Sequence, residues 1–222
     1  MQRKTFLKRL GAAAATATVA PWLTACGGGG DAAPPINTTP TPNPTPNPTT
    51  TLDTTEAAGL QYMREEEKLA HDFYVAMYAK WGLNVFNNIA ASETSHTQAV
   101  LDLLAAFGVT DLGANQPAGV FVDTTLQALY DNLMTQGNIS LIEALRAACL
   151  IEETDIKDLR DRLALTDEAN IASVYNSLLC GSARHLAAFD QQLRSRGESY
   201  TATVITQLEW DAIAADSGLL CQ

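Results

Sequence analysis

The chain has 222 residues, of which 46% are hydrophobic and 18% charged, and its 14 basic against 25 acidic residues give a net charge of -11. This composition excludes collagen, a wholly disordered chain and a multi-span membrane protein, and the length suffices for one or two domains with a sizeable core. Because the chain is so acidic, we expect no nucleic acid as a partner. Acidity is compatible with a protein that collects cations, although it does not establish that function.

The first 25 residues have the layout of a secretory signal peptide. Four basic residues are followed by a short apolar stretch, residues 10–23, and by small residues before Cys26. Such a stretch is too short to cross a bilayer core. The start RKTFLK resembles a twin-arginine export signal with Lys in the second basic place. That export route carries proteins that are already folded.

The segment LTAC, which ends at Cys26, resembles the box at which bacterial lipoproteins are cleaved and acylated on cysteine. We therefore expect a lipid anchor at Cys26 that holds the protein on the membrane of the cell envelope, facing the periplasm or the cell exterior. The alternative is an ordinary cleaved signal with an incidental cysteine. Residues 26–53 are rich in Gly, Pro and Thr and predict a disordered linker, so the folded domain is expected over residues 54–222.

Beyond residue 54, apolar residues recur at three- and four-residue steps, which is the helical period. Four long helices are predicted, with stripes over residues 60–81, 86–107, 142–163 and 171–193. Ser140, with Glu143 three residues later, predicts a capping box before the third helix. A last short helix is expected from Thr206, where Thr206 and Glu209 repeat this pattern.

The connections between these helices differ in length. The turns around Gly82 and over residues 165–170 are short, whereas the link over residues 108–139 is long and contains a weaker amphipathic stretch at 126–134. A long middle connection between two antiparallel helix pairs is typical of ferritin-like folds. The predicted fold is therefore all-α, a ferritin-like up-down four-helix bundle with a long connection between helices two and three.

Each apolar stripe is interrupted near its middle by residues that bind metals. Five of them stand where the helical period predicts a leucine: Glu67, Glu93, His96, Glu152 and His185. Counted from the two short turns, all lie within about one helical turn of mid-height, so they can converge. Buried carboxylates that face one another cannot all ionise without a cation. The sequence therefore predicts a metal site.

Simpler roles compete at several of these positions. The run Glu65–Glu66–Glu67 is typical of a solvated charge cluster, which we expect for Glu65 and Glu66 but not for Glu67. The apolar register favours Glu152 over Glu153 as the inward carboxylate.

The histidines and tyrosines also have alternatives. His96 and His185, each taken alone, could be core histidines. His71 is expected on the flank, at the surface or beside the ligands. Tyr74 and Tyr175 are expected in the core, where a hydroxyl could also donate a hydrogen bond to a ligand.

These motifs resemble a known family. EKLAHDFY, which begins at Glu67, is similar to the E-x-x-A-x-x-x-Y signature of rubrerythrin-like proteins of the ferritin superfamily, and Glu93-x-x-His96 stands where their second helix carries its ligand pair. Together, EEEKLAHDFY, IAASETSH, IEETDIKDL and GSARHLAAF resemble the bacterial family called domain of unknown function 2202, from about Glu56 to Ala214. This resemblance implies a ferritin-like fold and a metal site, but no particular reaction.

The resemblance is incomplete on the fourth helix. A symmetric di-iron protein has a second E-x-x-H there, whereas this chain has Ser182 three residues before His185. Asp155, one turn after Glu152, is the nearest candidate to replace the missing carboxylate. If Asp155 does not reach inward, the site holds one metal or binds the second weakly. Imidazole and carboxylate suit iron, manganese or zinc, and we expect two iron ions.

We therefore expect an exported metal-binding protein whose di-iron or mixed-metal site carries out redox chemistry with oxygen or peroxide. The alternative is a non-enzymatic metal-binding or structural envelope protein with a degenerate site.

Three cysteines remain beside Cys26, an odd number. Cys149 and Cys180 lie at different heights along the helices, which discourages a bridge between them, and Cys180 with Cys221 is an open alternative.

Overall fold

A computed structural model describes residues 51–221, and this range contains six α-helices and no β-strand. The helices are α1 (Thr54–Trp81), α2 (Asn84–Ala106), α3 (Thr124–Gly137), α4 (Leu141–Leu163), α5 (Ala169–Arg194) and α6 (Gln207–Ala215). The all-helical prediction is confirmed. No helix of the described range has both the length and the hydropathy that a membrane crossing needs. The predicted signal peptide, Cys26 and nearly all of the predicted linker lie outside the described residues.

Polar side chains and glycine set the helix ends. The Asp53 carboxylate accepts hydrogen bonds from two amides of the first turn of α1, and Glu56 bonds back to the Asp53 amide, which completes a capping box. α1 ends at Gly82, whose φ of 66° suits a residue without a Cβ. Ser140 caps α4 as expected, but the Glu143 side chain bonds elsewhere, so that predicted box is only half formed.

The four long helices contact one another in a cycle. α1 packs against α2 and α4, and α5 packs against the same two helices. Hydrogen bonds join Tyr62 to Asp158 and Tyr74 to Glu152, so α1 and α4 run antiparallel. Short turns make α1–α2 and α4–α5 antiparallel pairs as well. α2 and α4 therefore run in the same direction, and the long link that contains α3 returns the chain to the required end.

Two buried glutamates hold the loops against the helices. Glu65 accepts hydrogen bonds of 2.7 Å from the amides of residues 122 and 123, and Glu153 accepts from the amides of residues 203–205. The expectation that Glu65 and Glu66 are solvated is wrong, because they are only 4% and 3% exposed. For Glu65 the physical reason is the loop that follows α2, which supplies two backbone donors.

A disulfide joins Cys180 of α5 to Cys221, whereas Cys149 is a buried free thiol. The bridge closes a loop that contains the second half of α5 and all of α6. It ties the end of the described chain to α5 next to Gly181 and Ser182. Such bonds persist mainly in oxidising compartments.

Candidate metal centre

The structure brings the five predicted interior residues together from four helices. Glu93 lies at the middle, with Oε2 at 2.8 Å from His96 Nδ1 and Oε1 at 2.8 Å from His185 Nδ1. Glu67 Oε2 lies 3.3 Å from His96 Nδ1, and Glu152 Oε2 lies 3.5 Å from His185 Nδ1. One carboxylate thus spans both imidazoles, and a second carboxylate flanks each imidazole.

The donor atoms fit a cation. One ligand atom each from Glu93, His96 and His185 lie within 4.8 Å of one another. Glu67, Glu93 and Glu152 are each 2% exposed, and within residues 51–221 no Lys or Arg forms an ion pair with them. Glu67 Oε1, Glu93 Oε1 and both Nδ1 atoms have no partner in hydrogen-bonding geometry, despite the close approaches. Carboxylate oxygens and imidazole nitrogens that converge in a buried site without hydrogen-bond partners are suited to bind a metal ion.

Small residues of α2 and α5 orient the two imidazoles. His185 Nε2 lies 3.1 Å from Ser92 Oγ, while Nδ1 faces the carboxylates. His96 rests on the backbone of Gly181, where a Cβ would stand 2.6 Å from its Cε1 and Nε2 atoms. The two rings stack with centroids 5.4 Å apart. Sequence reasoning missed Ser92 and Gly181; for Gly181 the available signal was the small residues that interrupt the fourth stripe.

Tyr74 lies in the core, as expected, and its hydroxyl also reaches one of the predicted ligands. Its hydroxyl donates a hydrogen bond of 2.5 Å to Glu152 Oε1. The ring packs with Phe86 and Phe189 at centroid distances of 6.3 and 5.1 Å. This apolar cluster fixes the hydroxyl, and the hydroxyl in turn holds one oxygen of Glu152 away from His185.

Asp155 reaches inward but not to the histidines. It is buried, and its Oδ2 accepts a hydrogen bond from Ser182 Oγ, while Oδ1 has no partner. Asp155 therefore contacts Ser182, the residue of α5 that stands where a symmetric di-iron site has a glutamate. His71 lies outside the cluster, with a side chain 36% exposed and Nδ1 at 3.0 Å from Asp72.

The carboxylates and imidazoles of the cluster shift one another's pKa values. Burial lowers the pKa of an imidazole, but close contacts with Glu67 and Glu93 outweigh it and raise the pKa of His96 to about 11. The pKa of His185 rises to about 10 against the same burial effect, because Glu152 and Glu93 face it. Burial also raises the pKa of Glu93, but the two imidazoles prevail and lower it to about 2. Burial raises the pKa of Glu67 to about 8.

Residues 56–217 match the model of a family described as Uncharacterized protein domain DUF2202. The chain belongs to this family. It is 40% identical over 162 residues to Uncharacterized protein MJ0754 of Methanocaldococcus jannaschii. The alignment covers 73% of this chain and 88% of that protein. The crystal structure of hypothetical protein MJ0754 from Methanococcus jannaschii superposes with a TM-score of 0.74 at 38% identity, over 76% of this chain and 97% of that one.

The family predicted from the four motifs is thus confirmed. The relative is archaeal, so family membership does not establish the bacterial origin that the leader segment indicated. The ferritin relationship, the lipid anchor and the metal remain predictions.

A methyl group at position 181 is expected to displace His96. In Gly181→Ala the added Cβ would overlap the imidazole, which must move away from Glu93 and Glu67. We expect the affinity for Zn²⁺ or Mn²⁺ to fall about 10- to 100-fold, as when a group that orients a ligand is lost. Isothermal titration calorimetry measures this. Gly59→Ala is the control, because a Cβ there meets its neighbours at 3.6 Å; equal affinities in both variants would contradict the assignment.

The metal-free protein is expected to lose stability as the pH rises from about 7 to 11. His96 and His185 have folded pKa values of about 11 and about 10, against 6.5 for a free imidazole. Their charged forms stabilise the fold fully below about pH 6.5, and this contribution disappears as the pH rises through the folded values. Thermal unfolding in the presence of a chelator measures the trend. A bound metal replaces these protons, so Zn²⁺ should oppose the loss; a slope unchanged in His96→Gln would refute this account.

Proposed function

We propose that this protein is an exported ferritin-like protein whose centre binds two metal ions and uses them in redox chemistry with oxygen or peroxide. Iron is the metal expected first, with manganese or zinc as alternatives. The observation that carries the proposal is the arrangement at Glu93, whose carboxylate lies 2.8 Å from two imidazole nitrogens and forms no ion pair with any Lys or Arg of residues 51–221. Hard carboxylate oxygens and borderline imidazole nitrogens together favour these metals over magnesium or calcium.

The helix directions support a ferritin-like arrangement. α2 and α4 run in the same direction, and a long link with a helix of its own joins them, as in bundles that have one crossover. Each of the four long helices supplies at least one residue to the centre. The same topology explains why the site lies midway between the short turns.

The protein side of the chemistry is binding, orientation and exclusion of water. His96 and His185 would bind metal through Nδ1, because their Nε2 atoms lie toward Gly181 and Ser92. Bound iron would exchange electrons with the oxidant. Glu67 and Glu152 flank the histidines at longer distances than Glu93, so they can change their mode of binding as the metal charge changes. The side chains of His96 and His185 are 14% and 10% exposed, which favours access from the α2–α5 face.

The two metal positions are expected to be unequal. Glu67, Glu93 and His96 surround one position closely, whereas the position nearest α5 has Ser182 where a symmetric site has a carboxylate. Asp155 can supply that charge through Oδ1, which has no partner, while Oδ2 keeps its hydrogen bond with Ser182. This asymmetry also favours the second candidate function, a metal-binding or structural envelope protein without catalysis.

Export to an oxidising compartment is supported by the disulfide between Cys180 and Cys221. Its presence agrees with the predicted signal segment and with a lipid anchor at Cys26. Metal ions and the membrane are therefore the partners that we propose.

A matched pair of variants on α1 tests the centre. Glu67→Gln removes a charge that faces His96, and we expect bound metal to fall about tenfold or more at limiting concentration. Glu65→Gln removes an equally buried charge that holds a loop, so metal content should stay at the wild-type level. Metal analysis after loading with ferrous iron measures both. Equal losses of bound metal in the two variants, or no loss in either, would contradict the proposed metal site.

Electron paramagnetic resonance of the partly oxidised iron-loaded protein separates the two functions. A spin-coupled iron pair that is oxidised by peroxide and reduced again supports the redox function. A single isolated ion without turnover supports the non-enzymatic alternative.

The predicted lipid anchor is tested by Cys26→Ser. Without the acylated thiol the protein should move from the membrane fraction to the soluble envelope fraction, because one polar linker gives no membrane affinity of its own. Fractionation and immunoblotting measure this. The same distribution for wild type and variant would show that Cys26 carries no anchor.

A further inference from the structure

A second set of acidic side chains lies beside the centre, between α1 and α4. Glu66 is 3% exposed, and neither of its carboxylate oxygens has a hydrogen-bond partner. Asp155 is 6% exposed, and its Oδ1 is also without a partner. A buried carboxylate without a partner opposes folding unless it takes up a proton or a cation, so these oxygens are available to a positively charged ligand.

The register of α1 against α4 places these residues in a row. Glu56 bonds to Thr166 at 2.7 Å and Tyr62 bonds to Asp158 at 3.0 Å. Continuing this antiparallel register by one turn brings Glu66 level with Asp155. The row therefore runs from Asp158, which is half-buried at the outside, past Glu66 to Asp155.

The row ends at the metal centre. Asp155 follows Glu152 by about one helical turn on α4, and its Oδ2 accepts a hydrogen bond from Ser182, which precedes His185 by about one turn on α5. Glu67, which follows Glu66 on α1, is buried and has an unpartnered Oε1. Burial, together with the charges of neighbouring carboxyl groups, also raises the pKa values of Asp155 and Glu66 well above their usual ranges.

Within residues 51–221 two cations lie close to the outer end of the row, Arg162 and Lys157. The Arg162 guanidinium lies 4.2 Å above the Tyr62 ring and partly offsets the charge of Glu66. Lys157 is paired with Asp161, so the three carboxyl groups of the row outnumber the one remaining cation. A divalent cation that enters the row can therefore displace protons from these carboxyl groups and bind their oxygens.

We propose that Asp158, Glu66 and Asp155 form a transfer path along which divalent cations pass between solvent and the metal centre. This inference rests on the proposed metal centre. A hydrated cation would exchange water for carboxylate oxygens first at Asp158, then at Glu66 and then at Asp155, from which Glu67 accepts it. Asp155 thereby has a role that does not require it to be a permanent ligand.

Uptake kinetics test the path. Co²⁺ is mixed with metal-free protein in a stopped-flow instrument, and the visible absorption of Co²⁺ bound to imidazole and carboxylate reports arrival at the centre. In Glu66→Gln we expect uptake to slow by about tenfold or more, because the amide cannot release a proton and become an anionic ligand for the entering cation. The final amount of bound Co²⁺ should equal that of the wild type, because Glu66 is not a ligand of the centre.

Glu65→Gln is the matched control, since it neutralises the adjacent residue of the same helix, which is equally buried but bonded to a loop. Its uptake rate should equal that of the wild type. Asp158→Asn provides a second variant at the outer end, and Asp161→Asn, whose parent side chain is 60% exposed, is its control. Only Asp158→Asn should slow uptake.

The outcomes distinguish the path from the centre. Wild-type rates with full Co²⁺ content in both Glu66→Gln and Asp158→Asn would overturn the path and leave the proposed centre intact. A loss of bound Co²⁺ in Glu66→Gln would overturn the path in favour of a direct ligand. A wild-type protein that takes up no Co²⁺ would overturn the proposed centre, and the path with it.

Discussion

The structure depends on the burial of several carboxylates that form no ion pair with a lysine or arginine of the described chain. Glu67, Glu93 and Glu152 lie in the middle of four packed helices, and among residues 51–221 two imidazoles and one tyrosine hydroxyl compensate their charge. Replacing them by leucine would give a better ordinary core, since buried charge opposes folding unless it is compensated. The presence of three carboxylates at this place supports the proposed metal centre, since stability alone does not account for them.

Other buried acids in the same helices have a different purpose. Glu65 and Glu153 bind backbone amides and fasten the two longest loops of the described chain, so their charge is compensated by dipoles. Glutamates that lie close together on one helix thus have different roles. Because successive side chains are rotated by about 100°, Glu67 points to the centre and Glu65 to a loop. The loops in turn cover the helices, and this covering keeps the acids buried.

Sequence reasoning located the helices and the five interior residues because a polar residue in an apolar stripe is visible from periodicity alone. It failed at Glu65 and Glu66, because the groups that bury them lie on a loop and on α4, far away in the chain. It also missed Gly181, since glycine inside a helical pattern indicates close approach without naming the partner. Asp155 was recognised as relevant, but its contact with Ser182 needed the antiparallel register of α4 and α5.

The bridge from Cys180 to Cys221 adds an order of events to the proposed export. In a reducing cytoplasm the two thiols stay separate, and the chain after α5 is held only by non-covalent contacts. Oxidation outside would then close a covalent ring one residue away from the backbone on which His96 rests. A centre filled before export would therefore have its α5 side fixed afterwards, so maturation would occur in two compartments, with metal binding first and disulfide formation second.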